Sequence, residues 1–156
     1  MPMIVRFVVA LITAAAVVQP VTAQDLKTAT KKGSFDDVKF ELSNAIIERG
    51  LRVDFSGSIS QMLERTGADV GSTKPIYKHA EFMSFCSSKL SRQMMEADAA
   101  NVAFCPYTVF IYEAAAAAGE IVVGYRPFPQ PANETSRAAL DEIDKLLSGI
   151  IKAAVQ

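Results

Sequence analysis

The sequence predicts an α+β fold, in which a mostly antiparallel sheet packs against helices. Segments with the two-residue periodicity of strands alternate irregularly with segments of helical periodicity. Two strand-like segments, residues 102–113 and 120–125, are joined by a short alanine-rich connection, as in a hairpin. An apolar stripe then runs from Glu134 to the C-terminus, which predicts a long final helix.

The N-terminal half is predicted to alternate strands and helices. Residues 24–32 are compatible with a first strand. Ser34 has the position of an N-cap with Asp37 three residues later, and apolar residues at helical spacing predict a helix that Gly50 ends. Residues 51–56 alternate apolar and polar side chains, which predicts a second strand with one buried face.

The middle of the chain repeats this order. Residues 58–65 predict a short helix, and residues 77–86 predict a third strand after a glycine-punctuated loop. Ser87 or Ser88 then caps a helix that runs to about Ala97.

The C-terminal part contains the predicted hairpin. Residues 102–113 and 120–125 are rich in β-branched and aromatic side chains, and residues 114–119 form the loop between them. The three prolines within residues 126–133 predict a rigid connector to the final helix.

The first residues have the pattern of an export signal. Arg6 precedes an apolar run over residues 7–18, and small side chains at a peptidase site end at Ala23. The run is shorter than the roughly 18 to 20 residues of a membrane-spanning helix. We therefore predict a signal peptide over residues 1–23, cleaved after Ala23, and a single periplasmic or secreted domain over residues 24–156.

The charge of the remaining chain is nearly balanced. Loss of Arg6 removes one of 16 basic residues and none of the 17 acidic ones, so the net charge becomes −2. The two signs are interleaved, which gives no indication of nucleic acid or an anionic membrane as a partner. In an oxidising compartment the cysteines would be able to pair.

Two segments, FDDVKFELSNAIIERGLRV and CPYTVFIYEAAAAAGEIVVGYRPF, resemble the family known as domain of unknown function 302. The resemblance covers the chain from about Lys27 to the end of the last strand. Its most specific parts are the helix ending at Gly50 and the strand around Pro106 that runs on to Gly119 and Tyr125. The resemblance implies a small curved sheet backed by helices, a TATA-binding-protein-like half-fold, and common assembly as dimers. It implies no agreed activity, catalytic residue or cofactor, so a protein without catalytic activity is favoured.

Cys86 and Cys105 are the only cysteines, and many relatives have other residues at these positions. Cys86 ends one predicted strand and Cys105 begins the next, so the two side chains meet only if the strands are antiparallel. A disulfide there would close a loop of about 20 residues and stabilise the fold by roughly 3 kcal/mol. This structural staple is the first interpretation of the pair.

Two other interpretations remain open. Cys86 directly precedes a helix, whose N-terminal end lowers a thiol pKa, so the pair could be a thiol-redox or sulfur-carrier site in which Cys105 resolves the Cys86 nucleophile. His79, Met94 and Met95 could also join the cysteines around copper or haem iron. However, Met94 lies on the inward helical stripe, and His79 and Cys86 would point to opposite faces of an unbroken strand.

Met95, Tyr107 and Arg126 are the candidate ligand-binding residues. The simplest hairpin register puts Tyr107 opposite Arg126 and Tyr112 opposite Ile121. A guanidinium group beside a ring can bind an anion or hold the sheet edge. Met95 lies well round the helix from the inward stripe, toward a surface or interface.

The fourth main strand is predicted to be apolar on both faces, whereas antiparallel sheets normally have one wet face. A second subunit or an apolar ligand is therefore expected on one side. The sequence thus predicts an exported, non-catalytic module that is stapled by one disulfide, forms a homodimer and binds a small ligand or a periplasmic protein.

Overall fold

A computed structural model describes residues 26–131 and 133–156, so the predicted signal peptide lies outside the described residues. Every pairing in the sheet is antiparallel, the sheet is not closed, and the strand order is β1-β5-β4-β3-β2, which confirms the predicted α+β class. The strands are β1 (Lys27–Lys32), β2 (Phe55–Ser58), β3 (Tyr77–Phe85), β4 (Tyr107–Ala114) and β5 (Glu120–Tyr125).

Within the described ranges, four α-helices accompany the sheet: α1 (Phe35–Ile47), α2 (Ile59–Thr66), α3 (Ser88–Ala97) and α4 (Glu134–Ala153). Each begins where a serine or asparagine side chain accepts hydrogen bonds from backbone N–H groups of the first turn. The predicted cap at Ser34 is confirmed by its bond from the Asp37 N–H. The helix after the third strand uses Ser87 rather than Ser88.

Helices α1, α3 and α4 build the core against one face of the sheet. Apolar side chains at helical spacing in α1 and α4 meet alternate residues of β4 and β5, such as Val109 and Val123, which are fully buried. Burial of such side chains stabilises the fold by about 1.5 to 3 kcal/mol each. The residues between these buried ones in β4 and β5 point to the opposite face of the sheet.

The second strand differs from its prediction. Residues 51–56 were expected to pair, whereas β2 covers only Phe55–Ser58. Leu51 and Val53 are half-buried against the core, so their alternation reflects packing of an irregular segment rather than strand pairing.

The start of the fourth strand was also predicted wrongly. Residues 99–104 form a 3-10 helix, and β4 begins only at Tyr107. The Asp98 side chain caps this turn, and buried Asn101 donates hydrogen bonds to the Met94 carbonyl at 2.8 Å and to Ser136 Oγ at 2.7 Å. These polar contacts hold the segment against α3 and α4, although its composition favours a strand.

The hairpin register is shifted by one residue from the predicted one. Glu113 lies opposite Ile121 and Tyr112 lies opposite Val122, so the predicted Tyr107–Arg126 and Tyr112–Ile121 pairs do not form. A shift of one residue exchanges the two faces of a strand, and here it turns Glu113 toward the helices. The Glu113 carboxylate is held there by the Gly119 N–H, which lies 2.8 Å from Oε1.

Candidate functional site

The two cysteines meet at the junction of β3 and β4. Phe85 and Tyr107 are opposite each other in the antiparallel pair, Cys86 follows directly after β3, and Cys105 lies just before Pro106 and β4. The two sulfur atoms are 2.6 Å apart. The prediction that these strands are antiparallel and bring the cysteines into contact is therefore confirmed.

A serine and a tyrosine complete this cysteine corner. Ser91, on the first turn of α3, places Oγ 3.6 Å from Cys105 Sγ and 2.9 Å from the Tyr107 hydroxyl. The Tyr107 ring packs edge-on against Phe85 and Phe128, with centroid distances of 6.1 and 6.4 Å. The corner is thus continuous with the core.

The surroundings of Cys86 disfavour its ionised form. Burial is the main cause that raises its pKa to about 11, and the hydrogen bond and the charge of neighbouring Cys105 act in the same direction. A hydrogen bond with Ser91 acts in the opposite direction and is outweighed. A reduced Cys86 would therefore be protonated at neutral pH and a weak nucleophile.

The three ligand-binding candidates do not form one surface. Tyr107 is only 1% exposed and belongs to the core, Met95 is half-buried against the core, and Arg126 is exposed directly after β5. Within residues 26–131 and 133–156, no hydrogen bond or ring contact joins any two of them. The role of Met95 and Arg126 in ligand binding stays a prediction.

The side chains considered for a soft-metal site are also dispersed. Met94 is fully buried in the core, while the exposed His79 stacks on Phe35 with a ring centroid distance of 4.7 Å. Among the residues that the structure describes, no three His, Cys, Asp or Glu side chains converge as a metal site would require.

Glu113 is a buried charge that sequence reasoning did not single out. Its side chain is 3% exposed, and its carboxylate accepts hydrogen bonds from the Gly119 N–H and, at 3.1 Å, from Lys78 Nζ. The Gly119 bond is the main cause that lowers the Glu113 pKa, with a further contribution from Lys78. The apolar run around Glu113 and the glycine that closes the loop are the only signals of this role in the sequence.

The face of the sheet turned away from the helices carries aromatic side chains. Phe110 and Tyr112 stack with centroids 6.2 Å apart, Tyr112 contacts Tyr77 at 5.5 Å, and Phe82 contacts Phe55 at 5.7 Å. Their strand neighbours at Gly57 and Gly124 leave room for these rings, since a Cβ atom at either position would lie within 2.7 Å of Phe82 or Phe110. We call this surface the open face.

The strand registers define the members of the open face. Lys32 and Glu120 form an oppositely charged pair at one end of this face, and the other members are uncharged. They are Thr28, Thr30, Phe55, Gly57, Ala80, Phe82, Ser84, Thr108, Phe110, Tyr112, Val122 and Gly124. In the described part of the chain, none of these residues belongs to the hydrophobic cluster that contains the helices, although Ala80 and Ser84 are buried and the rings of Phe82, Phe110 and Tyr112 are half-buried. The prediction that one side of β4 carries apolar groups outside the helix-covered core is therefore confirmed.

A cavity of about 670 Å³ lies between α2, the loop after it and the beginning of β3. Two serine hydroxyl groups in its wall already accept hydrogen bonds from backbone N–H groups. Ser58 Oγ accepts the N–H of Gln61, and Ser60 Oγ accepts the N–H of Ala80.

The fold and its two adjacent cysteines define a small α+β domain with one helix-covered and one open sheet face. The chain matches the family "Domain of unknown function DUF302" over residues 26–154 and belongs to that family. No curated protein matches the chain.

A solved structure of the same family supports the fold. The crystal structure of an uncharacterized conserved protein, DUF302, from Bacillus stearothermophilus is similar with a TM-score of 0.67 and 14% sequence identity. The similarity covers 85% of this chain and 99% of that chain. At this identity it supports the fold alone.

No helix among the described residues is both long and apolar enough to cross a bilayer.

Proposed function

We propose that this protein is an exported, non-catalytic binding domain that forms a homodimer and takes an apolar ligand on its open face. A disulfide between Cys86 and Cys105 staples the fold behind that face. The observation that carries the proposal is the uncharged aromatic surface formed by Phe82, Phe110 and Tyr112 outside the core.

The chemistry of the open face suits a flat apolar molecule. The rings of Phe110 and Tyr112 stack with 25° between their planes, so together they form one contiguous apolar patch. Aromatic side chains supply much contact area at low cost in conformational entropy. Thr28, Thr30 and Thr108 add exposed hydroxyl groups at the margin, which can orient a ligand by hydrogen bonds.

Binding of the neutral apolar dye Nile red tests this site. Thr108→Glu adds a charge at an exposed position of the open face. Thr135→Glu adds the same charge at an exposed position of α4, away from that face. The dye should bind the wild type and Thr135→Glu equally and bind Thr108→Glu at least about tenfold more weakly, because about 1.4 kcal/mol changes an equilibrium tenfold. Equal binding by the two variants, or none by the folded wild type, contradicts the proposal.

Contact between the two sulfur atoms supports the staple. Oxidation would remove one hydrogen from each thiol, and the electrons would pass to a disulfide oxidant of the export compartment. The product would tie the end of β3 to the start of β4 and enclose α3. Alkylation followed by mass spectrometry tests this. The folded exported protein should resist thiol alkylation until it is denatured and reduced, and free thiols in the exported protein would contradict the staple.

A thiol-redox or sulfur-carrier role is the second candidate function. It is favoured by the position of Cys86 directly before the Ser87 cap of α3. The pKa of about 11 at Cys86 weighs against it, because a working nucleophile needs an accessible thiolate. Ready reduction of the folded protein, or a persulfide on Cys86, would favour this second function over the staple.

A further inference from the structure

The two edges of the sheet differ in how they meet solvent. Strand β1 forms one edge and carries Lys27, Lys31 and Lys32, of which the first bonds Asp144 and the second bonds the Gln156 carbonyl. Lysines on an edge strand oppose pairing with another chain. Strand β2 forms the other edge, and none of its four residues, FSGS, is charged. Only the β2 edge therefore lacks this protection.

Two large apolar side chains flank the β2 edge on opposite sides of the sheet. Phe55, on the open face, is 62% exposed, and Phe40, on α1 above the other face, is 63% exposed. Phe40 lines a groove of about 440 Å³ together with Val53, Ser56 and Met83, and the oppositely charged Asp36 and Lys39 line the same groove. An uncharged strand edge with exposed rings on both sides has the composition of an interface centre.

We propose that a second copy of this chain docks on this edge, with the two β2 strands antiparallel about a twofold axis. The two sheets of five strands would then form one continuous sheet. The inference rests on the homodimer of the proposed function and goes further, because it names the contact surface. It also leaves the open faces of both copies available to ligand.

The alternation of the strand restricts the register of this pairing. Residues opposite each other in a sheet point to the same face, so Phe55 on the open face must lie opposite a residue of the second copy on its open face. Centring the twofold axis on Ser56 satisfies this rule, because Phe55 then lies opposite Gly57 of the second copy. The arrangement repeats the Phe82–Gly57 and Phe110–Gly124 pairs within the chain.

A second copy fits this edge better than a different partner. A twofold contact brings each surface against itself, which requires a surface without a net charge of one sign. In this register Asp54 of each copy lies opposite Ser58 of the other, so the nearest acidic groups are kept apart. The Phe40 rings of the two copies would lie on the same side of the new strand pair and shield it from water.

Light scattering coupled to size exclusion tests the proposal on the chain without residues 1–23. Ser56→Lys gives the β2 edge the charge that β1 carries, and Thr30→Lys adds the same charge to exposed β1. The wild type and Thr30→Lys should be dimers, and Ser56→Lys should be a monomer with an unchanged circular dichroism spectrum. Dimers of all three, or a dimer lost with Thr108→Lys but not with Ser56→Lys, would overturn the β2 contact while the homodimer stands. A monomeric wild type would overturn both.

Cross-linking gives an independent measurement with a smaller change. Ser56→Cys should form an intermolecular disulfide under mild oxidation, because the two side chains would lie opposite each other at the axis. Thr30→Cys, on the other edge, should not. Peptide mass spectrometry identifies the linked position, and a dimer without a 56–56 link would overturn the proposed register.

Discussion

Phe85 and Tyr107 lie directly opposite each other where β3 ends and β4 begins, with ring centroids 6.1 Å apart. This one register contact explains why the cysteines that flank the pair touch. It also anchors the cysteine corner to the core, since both rings are buried. The corner is therefore positioned by packing that does not depend on a bond between the sulfurs.

The staple predicts a redox-dependent stability. Cys105→Ala should lower the free energy of unfolding of the oxidised protein by about 3 kcal/mol, because the loop of roughly 20 residues is no longer closed in the unfolded chain. Urea unfolding with and without reductant measures this. With reductant, wild type and variant should differ by less than about 1 kcal/mol, since only a small side chain is lost. A full difference that persists under reduction would contradict a disulfide origin.

Glu113 predicts a stability that falls in acid. Its folded pKa is lowered from the ordinary value of 4.5, so its ionised form stabilises the fold above that value, and this contribution is lost as the pH falls below it. Glu113→Gln should be less stable than the wild type at pH 7, and the difference should shrink toward pH 3. Exposed Glu120→Gln is the control. A gap between wild type and Glu113→Gln that is constant with pH would contradict the role of the charge.

Loss of the Asn101 side chain is expected to lower the stability of the fold. Asn101→Ala should destabilise the fold by about 2 kcal/mol, because it removes two buried hydrogen bonds and leaves Ser136 and the Met94 carbonyl without this donor. Ser136→Ala should cost less, about 1 kcal/mol, since Asn101 keeps its bond to Met94. Thermal or urea unfolding measures both, and the reverse order would show that the network is not centred on Asn101.

Two glycines predict opposite effects of the same substitution. A Cβ atom at Gly124 would lie 2.6 Å from the Lys27 carbonyl oxygen and from Phe110 Cζ, so Gly124→Ala should destabilise the fold by about 1 to 3 kcal/mol. Gly149 is inside α4, where a Cβ atom meets only the end of the Arg49 side chain at 3.2 Å. Gly149→Ala should therefore stabilise the fold by up to about 1 kcal/mol. Urea unfolding measures whether each variant is more or less stable than the wild type.

Local patterns in the sequence were sufficient for most of the fold. Capping side chains and apolar periodicity predicted the four α-helices of the described residues, and sequence position alone tied the cysteine contact to an antiparallel direction of β3 and β4. The 3-10 helix at residues 99–104 was missed because Asn101 binds Ser136, which is distant in sequence. No local pattern contains that contact.

Less of the candidate site than of the fold could be predicted from the sequence. The hairpin register depends on how Glu113 caps the loop at Gly119, and a shift of one residue moved Tyr107 from a presumed surface pair with Arg126 into the core. The open face could be anticipated from the two apolar sides of β4. Its full membership needed the registers of all five strands, because Phe82 and Phe110 meet only across strands.

The binding role of the open face is the central claim, and nuclear magnetic resonance tests it most directly. In a titration with Nile red, we expect chemical-shift changes at Phe82, Phe110, Tyr112 and Val122, which lie together on that face. Buried residues of the helix layer, such as Leu42 and Leu140, should not shift. Changes confined to the helix layer, or none at saturating dye, would contradict the account.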